Sequence, residues 1–402
     1  MLLFLLHYLQ THLFFKIPAV FAYSSTRMIL AALTSWVITI FFGPFFIRKL
    51  YALKIGQPVR SAKECPVLAE LHKRKAKTPT MGGVLILFSM VLALLLWMDL
   101  SSSFTWILLF TTVFLGGIGA WDDYLKLKHK NSKGLRAKVK FGLQIVVVAA
   151  IGFYLLSSEA VQKEFFGLKP PVAKEQLIKF KTKHRIVHQT ITLPSQEYTQ
   201  RLYIPFYKEP LHIGIFLAFI LILLTVVGSS NAVNLTDGLD GLATGCLILV
   251  AAVLALFAFV SNNIEISKYL NILYIEESGE IGVYLFALCG AALGFLWYNG
   301  YPAQIFMGDT GSLALGGIIG VAAVLLKREL LLALVGGIFV VEALSVILQV
   351  ISFRFKKKRV FLCSPLHHHF EYQGWAETKV VLRFWIIGLL LALIGIVSVK
   401  FQ

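Results

Sequence analysis

An all-α, polytopic membrane fold is predicted by three features of this sequence: its apolar content, ten apolar runs of spanning length, and basic residues gathered in alternate loops. Of 402 residues, 57% are hydrophobic and only 15% charged, and the mean hydropathy is +0.77. An ordinary soluble enzyme and a disordered chain are both excluded by that composition. A helix needs about 20 apolar residues to cross a hydrocarbon core. Runs of this kind fall near 26–47, 81–99, 104–121, 139–157, 212–231, 239–261, 281–298, 312–326, 331–353 and 380–400.

Residues 1–25 begin apolar but lack a basic n-region, which marks an uncleaved interfacial segment rather than a signal peptide. The loop after the first run carries Arg48, Lys49, Lys54, Arg60, Lys63, Lys73, Arg74, Lys75 and Lys77. That after the third carries Lys126, Lys128, Lys130, Lys133, Arg136 and Lys138, and that after the ninth Arg354, Lys356, Lys357, Lys358, Arg359 and Lys379. The loop after the second has no base. Basic loops stay in the cytoplasm, so odd-numbered spans end there and ten spans leave both termini outside. Segment 158–211 is then external although it holds nine Lys or Arg, because long loops translocate largely regardless of charge. Its β-branched stretch from Ile186 to Leu193, followed by Tyr203 to Pro205, predicts a small β-hairpin. No internal repeat or low-complexity tract divides the chain, so 1–402 reads as one membrane domain with 158–211 as an external insertion.

The net charge of +17 fits loops facing cytoplasm and anionic membrane lipid. Nucleic-acid binding is the competing reading of a pI near 9.7; it fails because the bases flank spans and build no soluble domain. Cys65, Cys246, Cys289 and Cys363 are scattered without a CxxC, giving neither a disulfide framework nor a zinc site.

Asp122, Asp123, Asp237, Asp240 and Asp309 stand at the edges of apolar runs, where an ionised group is costly unless it binds a cation or a substrate. The loops bearing Asp122 and Asp123, Asn231 to Asp240, Asn299 to Asp309, and His367 to His369 all follow odd-numbered spans. They therefore share one face with the basic loop after the first span, whereas a random scatter would have divided between faces. Adjacent Asp122 and Asp123 cannot point the same way on a helix, so one can face a metal or base site while the other makes a second contact. Asp237 and Asp240 would share a helical face, and Gly238 and Gly241 permit close backbone approach to a ligand. Asp309, set between glycines before an apolar helix, suits a hard cation held by one or two carboxylates, with substrate phosphate and water completing the shell. Each has a bland alternative: a solvated span end for the Asp pair, and helix caps for the 237–241 run and Asp309. Three consecutive histidines are poorly spaced for tetrahedral zinc and suit a phosphate or amide contact better. Lys75 and the turn at 78–83 precede the second span, where a lysine can meet phosphate. Glu342, near the middle of the ninth span, supports a rival class, a cation- or proton-coupled transporter. A transporter concentrates its polar groups near midplane, whereas the other acids here sit at one face.

Taken together, TPTMGG at 78–83, the Asp pair at 122–123, NAVNLTDGLDGL at 231–242, FMGDTGS at 306–312 and PLHHHFE at 365–371 resemble the polyprenyl-phosphate N-acetylhexosamine-1-phosphate transferases. The phospho-N-acetylmuramoyl-pentapeptide transferase branch is the most similar, in motif order from residue 26 onward. The resemblance implies a bacterial inner-membrane enzyme of peptidoglycan synthesis with its active site on the cytoplasmic face. Such an enzyme moves phospho-MurNAc-pentapeptide from UDP-MurNAc-pentapeptide to undecaprenyl phosphate with Mg²⁺, giving lipid I and UMP. A relative using UDP-GlcNAc is the nearest alternative; the three adjacent histidines resemble the muramoyl branch. By matching motif, Asp309 would ligand Mg²⁺, and Asp122 and Asp123 would serve the attacking lipid phosphate. Lys75, Thr80, Asn234, Asp237, Gly238, Asp240, Asn299 and Phe306 would line the nucleotide and diphosphate pocket, with Phe306 stacking on uracil. Lys138, His367, His368 and His369 would contact phosphate or assist catalysis. In-line displacement by the lipid phosphate is the expected chemistry, and a covalent aspartyl-phosphate is its rival. A homodimer is compatible with the resemblance.

Overall fold

The computed structural model describes residues 12, 19–52, 75, 78–129, 134–182 and 185–401. The expectations for most of 1–18, for Lys54, Arg60, Lys63, Lys73, Arg74 and Lys77, for Cys65, and for Lys130 and Lys133 lie outside these described residues.

Helices answer the ten apolar runs in order: α1 Ser24–Ala52, α2 Gly83–Trp97, α3 Ser103–His129, α4 Ala137–Leu156, α5 Gly214–Thr236, α6 Leu242–Ser261, α7 Gly279–Asn299, α8 Gly308–Leu325, then α9 Glu329–Val335 with α10 Gly337–Lys356, and, after the short α11 Leu366–Tyr372, α12 Glu377–Val397. Among the described residues nine are long and apolar enough to cross a membrane, so this is a multi-pass membrane protein. The second run is the exception. With 15 residues, α2 reaches only about 22 Å at 1.5 Å per residue; Met98 leaves it in extended conformation, and Asp99 closes a turn by accepting the Ser101 amide at 2.9 Å. The ninth run, expected as one helix, is two, because Gly336 and Gly337 fall at the junction and glycine costs a helix interior about 1 kcal/mol.

Helix α8 is the axis of the bundle, and every residue from Thr310 to Leu325 is buried. It packs on α3 and α5, while α7 packs on α1 and α6. Between helices in lipid, close approach through small residues replaces the hydrophobic drive available in water. A Cβ on Gly316 would lie 2.6 Å from the Ser229 carbonyl oxygen, so the α5 and α8 backbones touch. Ser229 and Ser230 use that proximity, their hydroxyls donating to the carbonyls of Gly316 and Leu313 at 2.8 Å each. Phe41 and Phe45 of α1 instead point outward, 77% and 61% exposed, as a lipid-facing surface requires.

The expected hairpin forms, though with a different partner. Strand β2 Arg185–Pro194 pairs antiparallel with β1 Val172–Thr182, which also pairs with β5 Tyr274–Ile275. Residues 203–205 are not in a strand, since Pro205 lacks a ladder N–H; only β3 Arg201–Leu202 and β4 Leu211–His212 pair there. Buried ions hold this end of the molecule together. Lys327, just past α8, donates to the Thr199 carbonyl at 3.0 Å and pairs with Glu329, and Arg27 of α1 meets Glu280 of α7 at 2.6 Å.

Candidate active site

The opposite end of the bundle gathers the acids. Gly119 lets α3 lie directly on the first turn of α8, where a Cβ would overlap the Asp309 carbonyl oxygen. One helical turn later Asp123 caps α8: its carboxylate accepts the amides of Asp309 at 3.1 Å and Thr310 at 2.9 Å, and the Thr310 hydroxyl at 2.7 Å. Such a carboxylate satisfies orphan helix N–H groups and complements the helix dipole. Gly308, at φ 75°, turns the chain into α8 in a space where a Cβ would meet Thr80 Oγ1 and Asp123 Oδ2 at 2.9 and 2.8 Å.

Asp122 points away from its neighbour, as adjacent helical residues must, and accepts the Leu135 amide at 2.6 Å. Lys126 Nζ lies 2.6 Å from Asp122, 3.0 Å from Asp309 and 3.8 Å from Asp123. Lys140 of α4 pairs directly with Asp309. Asn234 of α5 donates to Asp309 Oδ1 at 2.9 Å and to Ser312 Oγ at 2.8 Å. Oxygens of Asp122, Asp123 and Asp309 lie within 4.8 Å of one another, so three carboxylates face two ammonium groups. That surplus of hard oxygen donors, with an ammonium already seated among them, fits a divalent cation of the oxygen-seeking kind. Asp237, at the end of α5, completes the acidic rim; burial first, and then the charges of Asp309 and Asp123, push its carboxyl up to about 7.

A second cluster adjoins the first. Lys75 Nζ sits 2.6 Å from Asp240 and 2.5 Å from Glu377. Burial alone would lower this ammonium, but Glu377 and Asp240 outweigh it and hold its pKa above the ordinary value. Asn299, at the end of α7, accepts the Gly241 amide at 3.2 Å and the Thr244 hydroxyl at 2.9 Å, and donates to the Ile305 carbonyl at 2.9 Å. Phe306 is half-buried, its ring centroid 5.9 Å from Lys75 Nζ. Its amide donates to the Pro79 carbonyl and its carbonyl accepts the Gly82 amide, both at 2.8 Å. The TPTMGG turn thus carries the chain from the Lys75 cluster to Asp309.

The three histidines point three ways. His367 is fully buried, its amide 3.1 Å from Glu342 Oε1 and its Nδ1 3.1 Å from Glu342 Oε2. Its Nε2 edge lies on Gly238, where any Cβ would collide with it. His368 Nδ1 pairs with Glu371 at 2.7 Å, and His369 Nδ1 accepts the Leu362 amide at 3.2 Å, holding the incoming loop. Glu342 therefore has a local partner, which removes the observation that favoured a transport pathway. We expect Glu342→Ala to destabilise the protein by about 1–3 kcal/mol, by leaving buried polar groups unsatisfied, with Glu342→Gln milder. Thermal unfolding in detergent checks this, and identical melting of the wild type and the Ala variant would refute the pairing.

Lys126, Lys140, Thr310 and Glu377 belong to the site and were not singled out from sequence. Lys126 had a signal, being four residues after Asp122 on one helix. Lys140 had none: Lys138 lies exposed in the first turn of α4, and the residue two positions on reaches Asp309.

Residues 105–327 match the family model described as "Glycosyl transferase family 4", and residues 75–87 match "Phospho-N-acetylmuramoyl-pentapeptide-transferase signature 1". A protein of Protochlamydia amoebophila named phospho-N-acetylmuramoyl-pentapeptide-transferase is 60% identical, with 100% of both chains covered. Proteins of the same name from Methylacidiphilum infernorum and Francisella philomiragia are each 44% identical, again over 100% of both chains. The chain therefore belongs to glycosyl transferase family 4, and within it to the phospho-N-acetylmuramoyl-pentapeptide-transferases.

Proposed function

We infer that the chain transfers phospho-MurNAc-pentapeptide from UDP-MurNAc-pentapeptide to undecaprenyl phosphate, giving lipid I and UMP for peptidoglycan synthesis. The observation that carries this reading is that, at one end of a membrane bundle, three carboxylates able to hold a cation adjoin a Lys75–Asp240–Phe306 cluster. A polyanionic soluble donor and a lipid phosphate can meet only at such a surface. On this reading the site end faces the cytoplasm of a bacterial inner membrane, and ten crossings, counting the short α2, leave both termini outside; the basic loops support that orientation.

Mg²⁺ held by Asp309, with Asp122 beside it, would neutralise diphosphate charge. Lys126 and Lys140 add fixed positive charge where the phosphates would lie. Both oxygens of Asp123 are engaged in capping α8, so Asp123 positions Asp309, and Asp122 is the acid left to orient or deprotonate the lipid phosphate. Asn234 fixes the Asp309 carboxylate, and Phe306 offers a ring face for uracil. His367, held by Glu342, packs against the 237–238 turn of the donor pocket. Most of the acceleration in such an in-line displacement comes from positioning and charge.

The deciding assay supplies the detergent-purified chain with undecaprenyl phosphate, Mg²⁺ and either UDP-MurNAc-pentapeptide or UDP-GlcNAc, and follows UMP. Release is expected with the muramoyl donor, lost on chelation with EDTA and restored by Mg²⁺. Release with UDP-GlcNAc alone would move the chain to the other branch. No release with either donor would reject the transferase reading.

A further inference from the structure

Glu377 opens α12, and one of its oxygens does two things: Oε1 meets Lys75 Nζ at 2.5 Å and accepts the backbone amide of Asp240 at 2.8 Å. Lys75 continues to Asp240 Oδ1 at 2.6 Å, and Asp240 Oδ2 accepts the Ala303 amide at 2.9 Å. Four segments distant in sequence therefore meet at this cluster. The side chains of Lys75, Asp240 and Glu377 are only 17%, 2% and 11% exposed, so water competes weakly for these bonds. Two carboxylates share one ammonium, and neither lysine at the acid cluster joins in: Lys126 and Lys140 pair with Asp122, Asp123 and Asp309 instead.

We propose that Glu377 is a positioning residue for donor recognition, fixing Lys75 and the Asp240 turn beside Phe306 so that the pocket is preformed for a uridine nucleotide. The assignment rests on the transferase reading. Without Glu377 the ammonium keeps, among the described residues, Asp240 as its one carboxylate partner, and the Asp240 amide loses its acceptor. Both groups then become mobile on the Phe306 side of the site, while the contacts among Asp122, Asp123, Lys126, Lys140 and Asp309 are untouched. Preorganisation of this kind acts on binding; it governs donor affinity and leaves the chemical step alone.

The test uses the full-length chain in detergent. Glu377→Gln keeps an oxygen for the Asp240 amide and removes the charge that holds Lys75; Glu377→Ala removes both. UMP binding by calorimetry and steady-state kinetics, with donor and lipid acceptor varied separately, read the outcome. Glu377→Gln should raise the Kd for UMP and the KM for donor by about three- to tenfold, the range expected when one charge-assisted bond is weakened. The kcat should stay within about twofold and the acceptor KM should not move. Because Glu377 acts through Lys75, Lys75→Gln combined with Glu377→Gln should bind UMP no more weakly than Lys75→Gln alone. Unchanged UMP affinity in a variant that melts earlier would reduce Glu377 to a tether for α12 and overturn the proposal. So would a lower kcat at unchanged donor KM. If the wild type released no UMP in the transfer assay, the transferase reading would fall, while the binding measurements would still decide the role of Glu377.

Discussion

Asp309→Ala should lower UMP release by roughly a thousandfold or more, the scale seen when a preorganised charge-stabilising group is removed, and should do so in a folded protein. Asp309 is where three helices meet at one carboxylate: Lys126 of α3, Lys140 of α4 and Asn234 of α5 all reach it. Its removal leaves two ammonium groups facing the two remaining acids, Asp122 and Asp123. The negative surplus that would hold a divalent cation is gone. The fold should survive because the backbone N–H at 309, not the side chain, donates to Asp123, and Thr310 supplies two further bonds to the same cap. Asp309→Asn is the sharper variant, since it preserves shape and removes charge; it should be as inactive as the Ala variant. The measurements are UMP release, Mg²⁺ titration and thermal unfolding. Turnover preserved in either variant would reject Asp309 as the cation ligand.

The helices and the face they share were legible because their signals are local. Spanning length and hydropathy are properties of a continuous stretch, and loop charge fixes which ends lie together. The parity of the spans put Asp122, Asp123, Asp240, Asp309 and His367 on one side of the bundle, and the structure gathers them at one end. Strand β1 was missed because its alternation is diluted by charged residues: Lys174, Glu175, Lys179 and Lys181 lie within it. Partner choice was less legible. Sequence cannot distinguish Asp123, which caps α8, from Asp122, which faces Lys126, because the rotation of α3 is set by Gly119 against a helix almost 190 residues away. The pairing of Glu342 with His367 spans 25 residues and that of Lys75 with Glu377 spans 302. Both are fixed by how helices dock, and no local pattern encodes them. Glu342 on its own suggested ion transport; in the fold it accepts the His367 amide and lies beside that imidazole.

Gly119→Ala should damage both stability and turnover, and a glycine two residues away on the same helix supplies the control. A methyl at 119 would overlap the carbonyl oxygen of Asp309 and lie 2.6 Å from the Thr310 Cα. These are backbone atoms at the start of a buried helix, so no side chain can swing aside and α3 must move. Asp123 sits one turn further on, about 6 Å along the axis, and the three bonds by which it caps α8 span only 2.7–3.1 Å. A shift of about 1 Å is enough to break them. Overpacking of this kind costs about 1–3 kcal/mol, and loss of a helix cap adds about 1 kcal/mol. The same shift separates Asp122 from Asp309, and a misplacement of about 1 Å can cost roughly a hundredfold in rate. At Gly117 an added Cβ meets nothing within 4 Å, so Gly117→Ala should leave melting and UMP release near wild type. Its neutrality would show that composition and helix propensity are not responsible, since both variants make the same chemical change in α3. Equal behaviour of the two variants would mean that the α3–α8 contact does not set the spacing of the acids.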